Sequence, residues 1–247
     1  MSKESEYLVP GHPTVRYIPE FITSSEEEYL LKKIQETPHP KWKQLGNRRL
    51  QLLGGELTAK NNLLPKPMPP YMTVFPDLIS RLKNTGAFED SPHGAPNHVI
   101  LNEYCPNQGI MPHQDGPAYH PVVATISLAS HAVFHYYQYK DASDGTEGRR
   151  VNPTPLLSVV LEPRSLVITS DSLYQDCLHG IESIAVDSFA TGPHGVVCVE
   201  TGTPIANAHL LRSPEISKVV QEGGVLERTT RYSLTCRDIS KVKKLPF

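Results

Sequence analysis

The chain has 247 residues and a formal net charge of −2, so it can form one large domain or two small ones and has no overall attraction to polyanions or anionic membranes. Its four cysteines form no Cys-x-x-Cys pair, which argues against a disulfide framework or a structural zinc site and favours a reducing compartment. No apolar run approaches the length of a membrane span, so we expect a soluble protein of the cytoplasm and nucleus without a membrane partner.

The N-terminal part is predicted to contain a strand and then a helix. The segment VRYIPEFIT (15–23) predicts a short strand followed by the start of a helix. Ser24 and Glu27 have the spacing of a capping box. Residues 25–36 carry leucine and isoleucine on one helical face and charges on the other, which predicts an amphipathic helix.

Two less regular features follow this helix. Residues 41–70 are rich in glycine and proline and locally basic, and we expect them to be irregular. A second helix is predicted near 75–85, with Pro76 in its first turn.

The hydrophobic period then changes to two. Six segments with this period are predicted to be strands: HVILNEY (98–104), VVATISL (122–128), AVFHYYQY (132–139), LLSVVLE (156–162), SLVITS (165–170) and RYSLTCR (231–237). We expect a hairpin at 162–165, a loop at 141–150, and an insertion at 183–228 whose structure the sequence does not indicate. Helices followed by many short strands predict a mainly β fold with flanking helices, built as an antiparallel sandwich or barrel.

A histidine and an aspartate stand two positions apart in GIMPHQDGPAY (109–119). In a strand, His113 and Asp115 would project from one face and Gln114 from the other. An imidazole nitrogen and a carboxylate oxygen at this spacing can take neighbouring positions on one metal ion. His179, in the segment CLHGI, can supply a third ligand. Two histidines and one carboxylate on one face of the metal form the triad typical of non-haem Fe(II) oxygenases.

The third ligand is not fixed by these residues. A His-x-Asp pair also occurs at solvated strand ends, and the chain has eleven histidines. Five other histidines remain open as alternatives: His120, His131, His135, His194 and His209. The choice between a metal site and a polar strand end therefore needs an independent signal.

That signal comes from RYSLTCR (231–237). Strand alternation places four polar residues on one face: Arg231, Ser233, Thr235 and Arg237. Such a strand is either half-exposed or turns its arginines into a barrel, where buried guanidiniums require anions. Because the guanidinium fork matches carboxylate geometry, a small dicarboxylate would satisfy both arginines. Upstream, Asn102 and Tyr104 share a strand face and can hydrogen-bond the same acid.

In this order, N-x-Y, H-x-D, a distal histidine and R-x-S-x-T-x-R resemble the AlkB-like Fe(II)/2-oxoglutarate-dependent dioxygenases, from about residue 15 to the end of the chain. The resemblance implies a double-stranded β-helix, or jelly roll, with helices on one face. It implies three iron ligands: His113, Asp115 and His179. It also implies contacts with 2-oxoglutarate from Asn102, Tyr104, Arg231, Ser233 and Arg237. Arg231 would bind the distal carboxylate and Arg237 would lie near the metal-chelating end, whereas many relatives have asparagine in place of Ser233.

The same resemblance implies a reaction and a division of the chain. Fe(II), with 2-oxoglutarate and O2 as co-substrates, would oxidise an N-methyl group, which leaves as formaldehyde. Residues 1–95 would form a helical extension with a nucleotide-recognition lid. Residues 96–247 would form the dioxygenase core, and the two parts would make one compact, monomeric unit.

The lid region PKWKQLGNRRLQLLGG (40–55) supplies the expected substrate contacts: Lys41, Trp42, Lys43, Arg48 and Arg49. The cations would contact phosphates of single-stranded RNA or DNA, and Trp42 would stack on a base. Alternatively, Trp42 packs into the core. Two other functions remain open: a protein side-chain hydroxylase or demethylase of the same fold, and a nucleic-acid-binding module with little turnover.

Overall fold

Strands dominate the structure, a computed structural model that describes residues 6–140, 150–192 and 195–243. The strands are β1 Leu8–Val9, β2 His12–Ile18, β3 Lys43–Leu45, β4 Arg48–Leu53, β5 Gly55–Leu57, β6 Leu63–Pro65, β7 His98–Tyr104, β8 Ile110–His113, β9 Val122–Leu128, β10 Ala132–Tyr137, β11 Leu157–Leu161, β12 Leu166–Ser170, β13 Leu178–Ile181, β14 Val186–Gly192, β15 Gly195–Cys198, β16 Thr203–Pro204, β17 Gly224–Glu227 and β18 Arg231–Arg237. The helices are α1 Ser24–Gln35, α2 Pro70–Thr73, α3 Leu78–Lys83, α4 Asp171–Asp176 and α5 Pro214–Glu222, with 3₁₀ turns at His39–Lys41 and Ala208–Leu210. None of the described helices has the length and apolar content needed to cross a bilayer.

Two antiparallel sheets form the body of the fold. The major sheet has the strand order β1-β2-β12-β9-β18-β7-β4-β3, and the minor sheet has the order β11-β10-β13-β8. The arrangement confirms the predicted mainly β jelly roll with flanking helices. Strands β2 and β4, which precede residue 95, pair with β12 and β7 of the later part of the chain.

The two faces of the major sheet differ in chemistry. Its outer face packs against α1 and α3 through fully buried residues that include Leu30, Leu82, Leu101 and Ile126. Burial of each such side chain stabilises the fold by about 1.5–3 kcal/mol. Because side chains alternate along a strand, β7 and β18 present a polar set on the inner face, toward the minor sheet: Asn102, Tyr104, Arg231, Ser233, Thr235 and Arg237.

Helix α1 begins one residue earlier than predicted. Thr23 is the N-cap: its Oγ1 accepts from the Glu26 amide at 3.2 Å, and Glu26 Oε2 accepts from the Thr23 amide at 2.8 Å. The predicted capping box of Ser24 and Glu27 is wrong because Glu27 faces the core. Its carboxylate forms an ion pair with Arg164 at 3.1 Å.

Residues 41–70 are more regular than expected, since they contain β3 to β6 and the start of α2. The strands are three to six residues long, too short for a period to stand out in the sequence. The second predicted helix, near 75–85, is present as α3 but is shorter, from Leu78 to Lys83. Pro76 lies outside it, because Asp77 is the N-cap and accepts from the Ser80 amide at 3.3 Å.

The predicted hairpin at 162–165 is wrong, because β11 and β12 lie in different sheets. The buried Glu162 carboxylate accepts from the Tyr17 hydroxyl at 2.6 Å and from the Ser213 amide at 2.7 Å. Arg164 adopts a φ of 66°, which lets the chain turn from the minor to the major sheet.

The insertion at 183–228 folds as a small sheet of order β16-β15-β14-β17 together with α5. Phe189, Val220 and Leu226 join the same buried cluster as Val133 and Val160. The insertion therefore packs on the minor sheet. The predicted loop at 141–150 lies, except for its last residue, outside the described residues.

A buried ionic cluster fixes the insertion to the body of the fold. Asp187 accepts two hydrogen bonds of 2.6 Å from Arg228 and one of 3.0 Å from His131 Nε2. Burial alone would raise the pKa of Asp187, but its hydrogen bonds with Arg228 and His131 outweigh burial, and the net effect lowers the pKa.

Replacing Asp187 by asparagine is expected to lower the free energy of unfolding by about 3–5 kcal/mol, because Arg228 would be left buried without a carboxylate. Since the folded-state pKa lies below the unfolded value of about 3.9, the carboxylate stabilises the wild type above that value and progressively less as pH falls. Urea denaturation from pH 3 to 7 measures both effects, with Glu36→Gln at an exposed ion pair as control. An unchanged denaturation midpoint in Asp187→Asn would contradict this role.

Candidate functional site

The three predicted metal ligands meet between the two sheets. His113, the last residue of β8, is paired in register with His179 of β13, and their ring centroids are 4.4 Å apart. Asp115 follows two residues after the end of β8. One candidate ligand atom from each of the three residues lies within 4.8 Å of the others.

Strand alternation does not extend as far as predicted. Because β8 ends at His113, Asp115 is positioned by the following loop. Gln114 was expected on the opposite face, but it borders the same cavity as its neighbours. Its Nε2 donates to the Gln175 carbonyl at 2.7 Å, which connects the loop to α4.

Both histidines are held in the neutral form. His113 Nδ1 lies 2.8 Å from the Met111 carbonyl, and since a carbonyl only accepts, Nδ1 carries the proton and Nε2 keeps its lone pair. Burial lowers the pKa of His113 and lowers that of His179 to about 4. The His179 ring is also stacked on Phe134, with centroids 5.3 Å apart. Neutral, oriented imidazoles are the form that binds metal ions.

Asp115 is held as an anion. Burial would raise its pKa, but the charge of Arg237 and the hydrogen bond that Arg237 Nη2 donates to Oδ1 outweigh burial and lower it. The buried Oδ2 has no hydrogen-bond partner among the described residues. Two neutral imidazoles and a carboxylate with an unpaired oxygen are a donor set that fits Fe(II).

The alternative third ligands are placed elsewhere. His131 is bonded to Asp187, and His135 Nδ1 lies 2.8 Å from Ser158 Oγ. Within residues 6–140, 150–192 and 195–243, neither His120 nor His209 joins a three-residue group of this kind. His194 lies outside the described residues.

A cavity of about 240 Å³ adjoins the triad. Arg231, from β18, is 3 % exposed and borders this cavity. Its Nη2 donates to Ser127 Oγ at 2.8 Å, whereas its Nε has no partner in the described part of the chain. Burial lowers the pKa of Arg231 to about 10, so the side chain stays cationic at neutral pH. A buried cation of this kind favours an anionic ligand.

The second arginine of β18, Arg237, already has an anionic partner in the protein. Arg237 is paired with Asp115, and its guanidinium lies 4.9 Å from the centre of the Tyr119 ring. One dicarboxylate was expected to satisfy both arginines. Asp115 supplies a carboxylate to Arg237, so only Arg231 of the pair lacks one within the described residues. Arg237 also borders the cavity, and its Nε and Nη1 are buried without a hydrogen-bond partner in the described part of the chain.

The other predicted co-substrate contacts border the same cavity: Asn102, Tyr104 and Ser233. Asn102 Nδ2 lies 3.5 Å from Ser233 Oγ, and its Oδ1 accepts from Arg48 Nε at 3.1 Å. The Arg231 guanidinium lies 5.8 Å from the Tyr104 ring centre. These residues form one polar wall.

Several residues that position this site were not found from the sequence. Ser127, Tyr119 and Phe134 contact Arg231, Arg237 and His179, respectively. The alternation of VVATISL indicates that Ser127 shares a face with Thr125. Only the register, in which Ser127 pairs with Ser233, brings it beside the arginine.

The five predicted substrate contacts separate into three groups. Arg48 borders the cavity. Arg49 instead forms a two-point ion pair with Glu103, with distances of 2.6 and 2.7 Å, and its guanidinium lies 4.3 Å from the centre of the Trp42 ring. Trp42 is half-buried and packs against the core cluster beneath the helices.

Lys41 and Lys43 form the third group and border a separate groove. Of the predicted set, Arg48 is therefore the residue placed at the cavity.

Comparisons with known proteins agree with this geometry. The model of the 2OG-Fe(II) oxygenase superfamily matches residues 14–237. A Danio rerio protein described as probable RNA/DNA demethylase ALKBH6 is 37 % identical over 96 % of this chain and 91 % of its own length. The Macaca fascicularis tRNA (carboxymethyluridine(34)-5-O)-methyltransferase ALKBH8 is 27 % identical over 95 % of this chain but only 31 % of its own length. The solved structure of OsALKBH1 has the same fold, with a TM-score of 0.52, 15 % identity and coverage of 92 % and 97 % of the two chains.

Proposed function

The chain belongs to the 2OG-Fe(II) oxygenase superfamily, and from this premise we propose that it is an oxidative demethylase of N-alkylated single-stranded nucleic acid that acts as a monomer. The predicted AlkB-like family, and with it Fe(II), 2-oxoglutarate and O2 as cofactor and co-substrates, is confirmed. One observation carries the proposal: an Fe(II)-type triad and an arginine pocket lie in one cavity that Arg48 also borders.

His113, Asp115 and His179 would hold the iron, and Arg231 would hold the distal carboxylate of 2-oxoglutarate. Iron with 2-oxoglutarate and O2 supplies the oxidising power for a C–H bond of the substrate. Asn102 contributes an amide on the wall of the cavity.

The protein orients its own groups before the substrate binds. The Met111 carbonyl fixes the His113 ring by accepting the hydrogen bond from Nδ1, and Phe134 fixes the His179 ring by stacking on it. These side chains lie beside a cavity between the two sheets, which a substrate group must enter to reach the reacting centre. A substrate base must therefore be unpaired or flipped out of a duplex to enter.

Arg48 favours a nucleic-acid substrate. It forms no ion pair within the described ranges, and its Nε donates to a neutral amide. Its charge therefore remains available to a phosphate or to an acceptor on a base. By contrast, the neighbouring Arg49 is already neutralised by Glu103.

We expect formaldehyde and succinate to form together when the Fe(II)-loaded protein meets N-methylated single-stranded oligonucleotides. Methylated peptides form the comparison arm, and chelation of iron should abolish both products. Coupled product formation on peptides but not on oligonucleotides would overturn the nucleic-acid assignment. Tight oligonucleotide binding without succinate would indicate a binding module instead.

A further inference from the structure

Arginines dominate the charge of the catalytic cavity. Three of them border it: Arg48, Arg231 and Arg237. Among the described residues, Asp115 is the one acidic side chain on the wall. Its Oδ1 accepts from Arg237, and its unpaired Oδ2 is available to the metal. No described carboxylate on the wall is therefore left for a positively charged group of a substrate.

The cofactor and co-substrate do not reverse this balance. Fe(II) and the dianion of 2-oxoglutarate carry equal and opposite charges, and Asp115 neutralises Arg237. Two cationic side chains then remain, Arg231 and Arg48. Arg48 forms no ion pair in the part of the chain that the structure describes, and its Nε donates to Asn102 Oδ1 at 3.1 Å. The site therefore stays positively charged when it is loaded.

The hydroxyl of Tyr104 reports on this charge inside the cavity. Burial raises the pKa of Tyr104, whereas the charges of Arg48, Arg231 and Arg237 each act in the opposite direction and favour the phenolate. Three guanidiniums from two strands thus act on one point of the wall. A cationic base near that point would meet the same three charges with an unfavourable sign.

The aromatic rings of the cavity do not offset this repulsion. A ring face can bind a cation, but the guanidiniums of β18 already face two of the rings. Arg231 lies 5.8 Å from the centre of Tyr104, and Arg237 lies 4.9 Å from the centre of Tyr119. The third ring, Phe134, is stacked on a neutral imidazole. The wall therefore offers no described aromatic cage of the kind that binds cationic ligands.

Arg48 also restricts the hydrogen-bonding edge of the substrate. A guanidinium donates and cannot accept, and the neighbouring Asn102 Oδ1 is already used by Arg48. The atom of a base that faces Arg48 must therefore be an acceptor, such as a carbonyl oxygen. An amino group at the same position would set two donors against each other.

We propose that the cavity selects uncharged N-methylated bases with a ring carbonyl and rejects N-methylated bases that are cations at neutral pH. This inference rests on the proposed function and narrows its substrate class. In the selected class the methyl group replaces the ring N–H proton of a lactam, as in 3-methyluracil and 1-methylhypoxanthine. In the rejected class it is added to a ring nitrogen that carries a lone pair, which creates the cations of 3-methylcytosine and 1-methyladenine.

Two matched pairs of single-stranded oligonucleotides test the selection. One pair differs only in 3-methyluracil against 3-methylcytosine, and the other only in 1-methylhypoxanthine against 1-methyladenine. For release of formaldehyde and succinate, the kcat/KM of wild type should be about tenfold or more higher on the uncharged member of each pair. Fluorescence anisotropy with labelled strands and the Mn(II)- and 2-oxoglutarate-loaded protein, without oxygen, should give the same order of affinities in the absence of turnover.

Two variants change the charge of the wall in the same direction. Arg48→Gln removes a cation, and Gln114→Glu adds a carboxylate at the cavity. Each should lower the ratio of uncharged to cationic kcat/KM by about threefold or more. Any contact of Arg48 with the strand backbone cancels in this ratio, since both members of a pair share it. The controls Arg212→Gln and Gln221→Glu make the same charge changes at exposed positions outside the cavity and should keep the wild-type ratio.

The wild-type comparison requires no substitution, so it stands whether or not a variant folds. Equal or faster turnover of the cationic members by wild type would overturn the selection and leave the proposed function intact. Wild-type ratios in both Arg48→Gln and Gln114→Glu, with urea midpoints like that of wild type, would also overturn it, because the charge of the wall would not be the cause. If no methylated oligonucleotide released formaldehyde and succinate, the proposed function would fail and this inference with it.

Discussion

His179→Ala is expected to abolish 2-oxoglutarate turnover and to reduce Mn(II) or Fe(II) affinity by more than about 100-fold. Loss of a residue that only supports a metal ligand already costs 10–100-fold in affinity or activity, and His179 lies in direct reach of the proposed metal position. The ring is neutral and buried, so its removal leaves no charge unpaired and the fold should survive.

Metal affinity can be measured by titration of Mn(II) under electron paramagnetic resonance, and turnover by succinate release. Circular dichroism and a urea titration monitor the fold. His120→Ala is the matched control. His120 is half-buried and lies five positions after Asp115, but it does not belong to the triad. Full succinate release by His179→Ala would refute the ligand assignment.

Arg231→Ala is expected to raise the KM for 2-oxoglutarate by about 30-fold or more. Removing one partner of a buried, hydrogen-bonded charge pair costs about 2–5 kcal/mol, and about 1.4 kcal/mol corresponds to a factor of ten. Arg231 makes one described side-chain hydrogen bond, to Ser127, so most of its donors remain available to the co-substrate. Mn(II) affinity measured without 2-oxoglutarate should change little, since Arg231 does not contact the triad.

Two further variants test whether the effect of Arg231→Ala comes from the charge and shape of this particular arginine. Arg231→Lys keeps the charge but loses the planar fork, so its KM should lie between the values of wild type and Arg231→Ala. Arg212→Ala removes an exposed arginine and should leave the KM unchanged. A normal KM for 2-oxoglutarate in Arg231→Ala would remove the arginine pocket from the mechanism.

The strands that pack on both faces were predictable from the sequence. The segments 98–104, 122–128 and 231–237 agree with β7, β9 and β18 at both ends, because each has an apolar outer face and a distinct inner face over seven residues. The strands β3 to β6 and the insertion sheet were not predicted, since most of these strands have two to four residues and give no recognisable period. The chain's turn at Glu162 depends on contacts with Tyr17 and Ser213 that are remote in sequence.

The candidate site was predictable in its residue types but less so in their pairing. Spacing placed His113 with Asp115, and the family pattern selected His179. No local pattern indicates that Asp115 neutralises Arg237, because the two lie 122 positions apart. Likewise, the neighbours Arg48 and Arg49 have the same chemistry, and only the register of β4 against β7 decides which of them meets Glu103.

The ion pair between Asp115 and Arg237 prepares the Asp115 carboxylate for metal binding before a metal ion arrives. The guanidinium keeps the carboxylate ionised and in place, so an incoming cation finds a deprotonated, prearranged ligand and does not have to displace a proton. The same arrangement joins catalysis to folding: a substitution of Asp115 removes a ligand and also strands a buried cation. An inactive Asp115 variant could have lost the metal ligand, the stability of the fold, or both. Substitutions of His113 and His179 leave no buried charge unpaired, so they test metal binding separately from folding.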